Sequence, residues 1–417
     1  MDINQKRNLR VIALVGILYF ILFIFPNAST MGSNNPIAYL HKDEFVTYPV
    51  VERMLEYSPN LSEAWGRLII YGDYHWGYPF YFLSMLTLLP LRIIQGADFY
   101  NHTEVNILII RQVISVLPMI LTAGVLTYVL THFRKLWASL FTFLFILTIP
   151  AVVRNNMHWW HPDALMILAI ALTFLFLDLD KYRLGKYFLL AAAACGLASA
   201  IKLFGFFFFL TIPVYLLLTW RRKGTVFKRI ILSGLMFVGI MLIVIVLSNP
   251  FLFYEGPRGD MLATQAYKSV ELSEGYTHEE SLYYSLGPEY WRWTLTTSYG
   301  DPNFIVLLLL LLGLAGAAIP DRDIYWLLLA WIVPVGIYLM WFVSPKPDHY
   351  LMPLLIPLYA TVTIGIEIFT LGWTNEKKWV RWAAYAGTAV FALILLTQCF
   401  FQISTDIHQY AAYFKPV

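Results

Sequence analysis

Three carboxylates stand at the ends of long apolar segments. Asp43 and Glu44 follow the first such segment, and Asp163 opens a later one directly after Pro162. A carboxylate within hydrogen-bond reach of a hydroxyl group can remove its proton. Each acid also has an ordinary structural explanation, which is a solvated loop for the pair and a helix N-terminus for Asp163. The three are candidates for general-base chemistry.

Basic residues also interrupt or border the apolar segments. Lys202 lies inside the apolar stretch 195–210, Arg111 lies near the start of another, and Lys346 and His349 lie close together later in the chain. Ionisable groups within membrane segments are costly and usually functional, although those near a segment end can reach water. Positive charge of this kind could clamp an anion such as a phosphate leaving group.

The elements that position these residues must lie in a membrane. The chain has 417 residues, of which 59% are hydrophobic and only 13% are charged, against roughly 25% charged in soluble domains. Soluble and disordered classes are therefore excluded, and a net charge of +3 gives no nucleic-acid footprint. Cys195 and Cys399 lie in apolar runs, which argues against a disulfide framework or a thiolate metal site.

A spanning helix needs about 20 apolar residues, and the chain offers eleven candidates. A further stretch, 78–94, contains Pro79 and Pro90 and could cross or lie in the interface. We interpret the first candidate as a retained span rather than a cleaved signal peptide. The predicted spans are 11–26, 106–130, 136–152, 164–178, 187–201, 203–220, 229–248, 304–319, 325–343, 350–371 and 380–401.

Basic residues predict the orientation. With the N-terminus inside and 78–94 not crossing, 17 of the 29 lysines and arginines fall in six short inside segments. The chain then forms one transmembrane domain, 1–417, with outside loops at 27–105, 153–163 and 249–303. Loops as long as the first and third usually have structure or function of their own. The third loop could shape an acceptor site or simply cap the cavity.

This topology places all of the candidate acids and cations at or near the outer face. A base near a hydroxyl group and cations near a phosphate suit transfer of a group from a lipid-linked phosphate.

Motifs in the same order characterise a known family. The chain resembles the GT-C glycosyltransferases, and among them family 39 and its relatives, the protein O-mannosyltransferases and lipid A aminoarabinose transferases. The matching pieces are 41–44, 72–73 with 78–79, Arg111, 158–165, 249–252 and 349–357.

The resemblance implies an all-α polytopic membrane fold and an inverting transferase with a polyprenyl-phosphate sugar donor. It implies that Asp43 is the catalytic base, that Glu44 is its partner and could bind Arg111, and that Asp163 is the second catalytic acid. The stretch 78–94 would be a juxtamembrane helix of the first outside loop. Donor-phosphate ligands would be Arg111, Lys202, Lys346 and His349, and further cavity candidates are His75, His158, His161 and Tyr350.

The chain departs from the family pattern at two histidines. His161 and His349 stand where many relatives have arginine, and histidine is mostly neutral near pH 7, whereas arginine is always charged. This weakens the prediction for phosphate binding more than that for the base. The neighbouring Trp159 and Trp160 suit an interfacial aromatic belt, which we favour, or a sugar-stacking surface.

Two other readings use the same residues. A metal-dependent enzyme resembling the oligosaccharyltransferases could use Asp43, Asp163, His158 and His161, but no tight ligand spacing is visible, and we expect no metal or other cofactor. A transporter or flippase of lipid-linked sugars is the alternative outside enzymes, although such proteins usually show repeats and broken midplane helices.

The expected partners follow from the favoured reading. They are a polyprenyl-phosphate sugar, membrane lipids and a glycan, lipid or protein acceptor, without nucleic acid. The expected location is a bacterial inner membrane, with the active site on the extracytoplasmic side.

Overall fold

The computed structural model describes residues 2–29, 40–157, 159–274, 284, 286–373 and 376–412. The described residues form helices and their connections, with no strand among them. This confirms the predicted all-α polytopic membrane fold.

The described residues of the first half of the chain form ten α-helices. They are α1 (Ile3–Ala28), α2 (Lys42–Met54), α3 (Leu61–Ile69), α4 (Tyr78–Gln95), α5 (Thr103–Ile110), α6 (Leu117–Thr131), α7 (Leu136–Leu147), α8 (Pro150–Asn156), α9 (Asp163–Asp180) and α10 (Lys186–Ile201). A π-helical turn, Arg111–Val116, joins α5 to α6.

The second half contains nine α-helices in its described residues. They are α11 (Phe208–Lys223), α12 (Phe227–Ser248), α13 (Glu255–Glu274), α14 (Glu289–Ser298), α15 (Leu307–Ala318), α16 (Ile324–Phe342), α17 (Met352–Ala360), α18 (Val362–Trp373) and α19 (Lys378–Ala412). Short 3₁₀ turns precede α11, α13 and α17.

All eleven predicted spans lie on helices. Eight helical segments of the described chain are long and apolar enough to cross a membrane, or ten if two sharply bent pairs each count as one span. The segment Tyr78–Asn101 is among the eight, so our expectation that 78–94 does not cross stays a prediction. The predicted spans 164–178 and 187–201 lie on α9, which contains three aspartates, and on the shorter α10.

Small residues allow close packing in the centre of the bundle. The alanine-rich α10 packs against α9 and α12. At Gly196 an added Cβ would lie 2.7 Å from the carbonyl oxygen of Met241. Helices in a membrane associate mainly through such close van der Waals contact, so this stretch holds three helices together beneath the site.

The loops 27–105, 153–163 and 249–303 share an apolar cluster of their own. The buried side chains of Tyr71 and Phe80 from the first loop meet Trp160 of the second loop and Phe251 of the third. Aromatic side chains bury large areas and dominate such contacts. This cluster fixes the three loops against one another and so positions their polar residues.

Candidate active site

Asp43 and Glu44 lie in the first turn of α2. The helix begins with a capping box, in which the side chain of His41 accepts from the backbone N–H of Asp43 and the Glu44 carboxylate accepts from that of His41. Acids in a first turn are also favoured by the helix dipole. The capping box therefore fixes the direction of the Glu44 carboxylate.

Glu44 is fully buried and saturated with donors. Arg111 donates to it through Nε at 2.9 Å and through Nη2 at 2.5 Å. The backbone N–H groups of Trp160 and His41 donate at 2.6 and 2.8 Å. Arg111 is itself buried, so this pair locks the first loop to the second and to the π-helical turn.

Asp43, by contrast, faces open space, and 37% of its side chain is exposed. Partial burial raises the pKa of Asp43. The neighbouring rings of His41, His161 and His349 favour the ionised carboxylate, outweigh that effect and lower the pKa to about 2. The carboxylate is thus ionised at every physiological pH and free to accept a proton.

Asp163 and Lys202 form the second charged element of the site. Lys202 Nζ lies 2.7 Å from Asp163 Oδ1, and His161 Nδ1 lies 3.0 Å from Oδ2 without hydrogen-bond geometry. Lys202 follows the last residue of α10 with an extended backbone, while Asp163 opens α9. The two helix ends therefore bring the acid and the cation of the second loop together.

Aromatic rings join the two charged elements. Trp159 stacks on His161 at 4.4 Å between ring centroids and also contacts His41 and His349. The Lys202 ammonium lies 5.2 Å from the ring of Tyr350. Predicted residues from four separate segments thus form one cluster around Asp43 and Asp163.

The two tryptophans do not form a lipid-facing belt. Trp160 is buried, and its indole N–H donates to Ser84 at 2.9 Å. Trp159 packs among three histidines of the cluster. The favoured interpretation as an interfacial belt is therefore wrong, because both rings point into protein.

Lys346 is buried and contacts backbone carbonyls of its own segment. Its ammonium donates to the backbone carbonyls of Val343, at 3.1 Å, and Ser344, and it lies 5.4 Å from the centre of the Trp291 ring. Burial lowers its pKa to about 8. A phosphate role for Lys346 stays a prediction, and so does that for Arg111, whose guanidinium binds Glu44.

The remaining predicted residue of the first loop, His75, lies at the outer rim. Its ring contacts Asp73 at 2.7 Å and is half exposed. His158 lies outside the described residues.

Sequence reasoning missed two residues at this rim. Trp76 packs edge-on against His161 with ring centroids 4.7 Å apart, and the ammonium of Lys268 lies 3.8 Å from the centre of the Trp76 ring. The sequence offered only one weak signal, a lysine in a long outside loop. Nothing in the spacing indicated that the third loop would return to the first.

The ring nitrogens of His161 and His349 and an Asp163 oxygen lie within 4.8 Å of one another and could hold a metal ion. Burial lowers the pKa of His161, which keeps the ring neutral, as a ligand must be. The Lys202 ammonium, however, already supplies a positive charge 2.7 Å from Asp163. The two ring nitrogens and the carboxylate oxygen are therefore suitable metal ligands, but the nearby ammonium of Lys202 would repel a metal cation.

Comparison with known proteins gave structural relatives. No family model and no curated protein sequence matches the chain. The structure is similar to ArnT from Cupriavidus metallidurans bound to undecaprenyl phosphate, with a TM-score of 0.55 at 13% identity. The match covers 96% of this chain and 74% of ArnT.

A second relative is the oligosaccharyltransferase AglB of Archaeoglobus fulgidus, solved in the apo form and in complex with an inhibitory peptide and a dolichol-phosphate. The TM-score is 0.51 at 14% identity, covering 95% of this chain and 56% of AglB. Both relatives have the GT-C fold, and this chain shares it. The predicted fold is therefore confirmed.

Proposed function

We propose that this GT-C protein is an inverting glycosyltransferase that moves a sugar from a polyprenyl-phosphate donor to an acceptor hydroxyl. Two solved structures of the same fold contain a polyprenyl-type lipid phosphate, undecaprenyl phosphate in ArnT and dolichol-phosphate in AglB. The general reaction, glycosyl transfer from a lipid-linked donor, has their support.

The observation that carries the proposal is the division of roles between two neighbouring carboxylates. Glu44 is buried and binds four donors, whereas Asp43 is ionised, partly exposed and close to a second acid–cation pair. Such a site offers a free base beside positive charge, which a transfer from a phosphate to a hydroxyl requires.

The reaction is a single displacement. Asp43 accepts the proton of the acceptor hydroxyl. At the same time, the oxygen of that hydroxyl forms a bond to the anomeric carbon of the sugar. The bond from that carbon to the phosphate oxygen breaks, and the lipid phosphate leaves with the electron pair. The ammonium of Lys202 stabilises the negative charge that develops on the leaving phosphate. Attack from the face opposite the leaving group inverts the anomeric configuration.

We place the site on the extracytoplasmic side of a bacterial inner membrane because the basic residues cluster at the opposite ends of the helices. The acceptor is a glycan, lipid or protein hydroxyl. We propose that no metal ion takes part, because the ammonium of Lys202 already provides positive charge beside Asp163.

The experiment is turnover of a panel of polyprenyl-phosphate sugars by the purified protein, with membrane extract as the source of acceptor. We expect the wild type to consume one donor and Asp43→Asn to be about 10²–10⁴-fold slower. Asp98→Asn, which changes an exposed acid of the same loop, is the matched control and should behave like the wild type.

Equal turnover by Asp43→Asn would contradict the assignment of the base. Unchanged turnover in a chelator would support the metal-free reaction, and its loss would contradict it. If no donor is consumed, but a lipid-linked sugar moves across the membrane of vesicles that contain the protein, the protein is a transporter.

A further inference from the structure

Helix α13 of the third outside loop lies against the first outside loop. Gln265 donates to the carbonyl oxygen of Tyr74 at 2.9 Å, and Lys268 donates to that of His75 at 2.6 Å. None of the 20 residues of α13 is buried. These two hydrogen bonds therefore help to hold α13 against the first loop. They also bring the ammonium of Lys268 to the rim of the site.

Lys268 and Lys202 share one aromatic ring. Their ammonium groups lie 3.8 and 5.1 Å from the centre of the Trp76 ring. Trp76 in turn contacts His161, beside Asp163. A cation over a tryptophan face is favourable, but the two ammonium groups near this ring repel each other, and the charge of Lys202 disfavours the charged form of Lys268. A bound anion would relieve their repulsion.

The other cations of the site have direct acidic partners, whereas no carboxylate of the described residues forms a salt bridge with Lys268. Arg111 is neutralised by Glu44 and Lys202 by Asp163. Within the described residues, Lys268 forms no salt bridge, and its close contacts are a backbone carbonyl and a ring. Partial burial and the neighbouring Lys202 lower the pKa of Lys268 to about 7, and they outweigh the opposite effect of Asp73, Asp163 and Glu271.

We propose that Lys268 and Lys202 form a two-ammonium phosphate site against Trp76, and that this site holds the phosphate of the lipid-linked donor. The identity of the lipid rests on the function proposed above, whereas the phosphate site rests on the geometry at Trp76. A tetrahedral phosphate has enough oxygens to accept from both ammonium groups at once.

Binding of polyprenyl phosphate, of the polyprenol of the same length and of inorganic phosphate to the purified full-length protein tests the proposal. We expect the wild type to bind the lipid phosphate more tightly than the alcohol. Lys268→Gln should weaken binding of the lipid phosphate by about 10–100-fold, the value of one charge-assisted hydrogen bond. Binding of the alcohol should not change.

Three variants separate the effect of the Lys268 charge from the effect of holding α13 against the first loop. Lys268→Arg keeps the charge and should retain most of the preference for phosphate. Arg258→Gln removes an exposed cation from the same helix and should bind both lipids like the wild type. Gln265→Ala removes the neighbouring docking hydrogen bond without changing charge, and it should weaken phosphate binding far less than Lys268→Gln.

Several results would overturn the inference. If Lys268→Gln keeps the full preference for phosphate, or if Gln265→Ala loses as much, Lys268 acts only in docking. If the protein binds inorganic phosphate tightly and the lipid phosphate weakly, the phosphate at this site does not belong to a lipid-linked donor. A wild type that does not distinguish the lipid phosphate from the alcohol would refute the proposed donor as well, so the two failures are distinguishable.

Discussion

At the scale of single residues, adjacent carboxylates have opposite environments. Glu44 binds Arg111 and two backbone N–H groups inside the protein, whereas Asp43, one position earlier, points to open space. Removing one member of a buried ion pair leaves an uncompensated charge, which commonly costs about 3–5 kcal/mol. Variants of Glu44 therefore test stability, and variants of Asp43 test chemistry.

The pH dependence of donor use should report Lys268 rather than Asp43. With a pKa of about 2, Asp43 stays ionised across pH 5–9. Lys268, with a pKa of about 7, loses its charge as the pH rises through that value. We expect kcat/KM for the donor to fall above about pH 7, because the neutral amine no longer binds phosphate as strongly. Steady-state rates between pH 5 and 9 measure this.

The variant Lys268→Arg tests whether Lys268 causes the fall of kcat/KM above about pH 7. In Lys268→Arg the cation cannot lose its proton in this range, so the fall should move beyond pH 9. The ionisable groups that influence Lys268 are Lys202, Asp73, Asp163 and Glu271, and Lys346 has a pKa of about 8. A limb that stays near pH 7 in the arginine variant would show that Lys268 is not its source.

The sequence predicted the residues of the site better than their contacts. Asp43 and Asp163 were selected as acids at the ends of apolar segments, and Lys202 and His349 because charge is costly near such segments. The structure brings these residues into one cluster. That rule gives no distances. It could not reveal that Lys346 would bind backbone carbonyls instead.

At the scale of elements, one glycine positions the rim of the site. Gly77 precedes α4, and its N–H donates to the carbonyl oxygen of Ile201 at 3.0 Å, directly before Lys202. A Cβ at Gly77 would lie 1.6 Å from the carbonyl oxygen of Ala200. The backbones of the first loop and α10 are in contact there, so only a residue without a side chain fits.

Gly77→Ala should therefore separate Trp76 from Lys202. We expect a lower Tm and a fall in turnover of at least about tenfold, because small displacements of positioning groups cost rate steeply. Gly66→Ala is the matched control: an added Cβ meets nothing within 4 Å, and alanine favours a helix over glycine by about 1 kcal/mol. Thermal unfolding and donor turnover measure both; a Gly77→Ala variant with wild-type values would show that the contact is not needed.

The spans were predictable as elements, but the loop helices were less so. Apolar stretches of about 20 residues leave few alternatives in a membrane, and each predicted span coincides with one helix or with consecutive helical segments. Helices α2, α3 and α13 are short or polar, and their places depend on long-range contacts such as that of Gln265 with Tyr74. A single sequence does not encode such pairings in any local pattern.

At the scale of the whole molecule, the fold is similar to that of proteins with few identical residues. ArnT shares 13% of its aligned residues with this chain, yet the match covers 96% of the chain. A membrane constrains helix lengths and polar exposure more strongly than residue identity. Ordered polar motifs at the ends of the spans were therefore enough to predict the fold.

The remaining global feature is the orientation, which the basic residues predict with the N-terminus inside. Cysteine labelling in intact cells tests it in a background of Cys195→Ser and Cys399→Ser. Ser62→Cys on α3, an exposed position of the first outside loop, should react with an impermeant reagent. Lys223→Cys at the end of α11, also exposed, should react only after the membrane is opened. The reverse pattern would place Asp43 and Lys268 in the cytoplasm, where the same chemistry would require a donor presented on the inner leaflet.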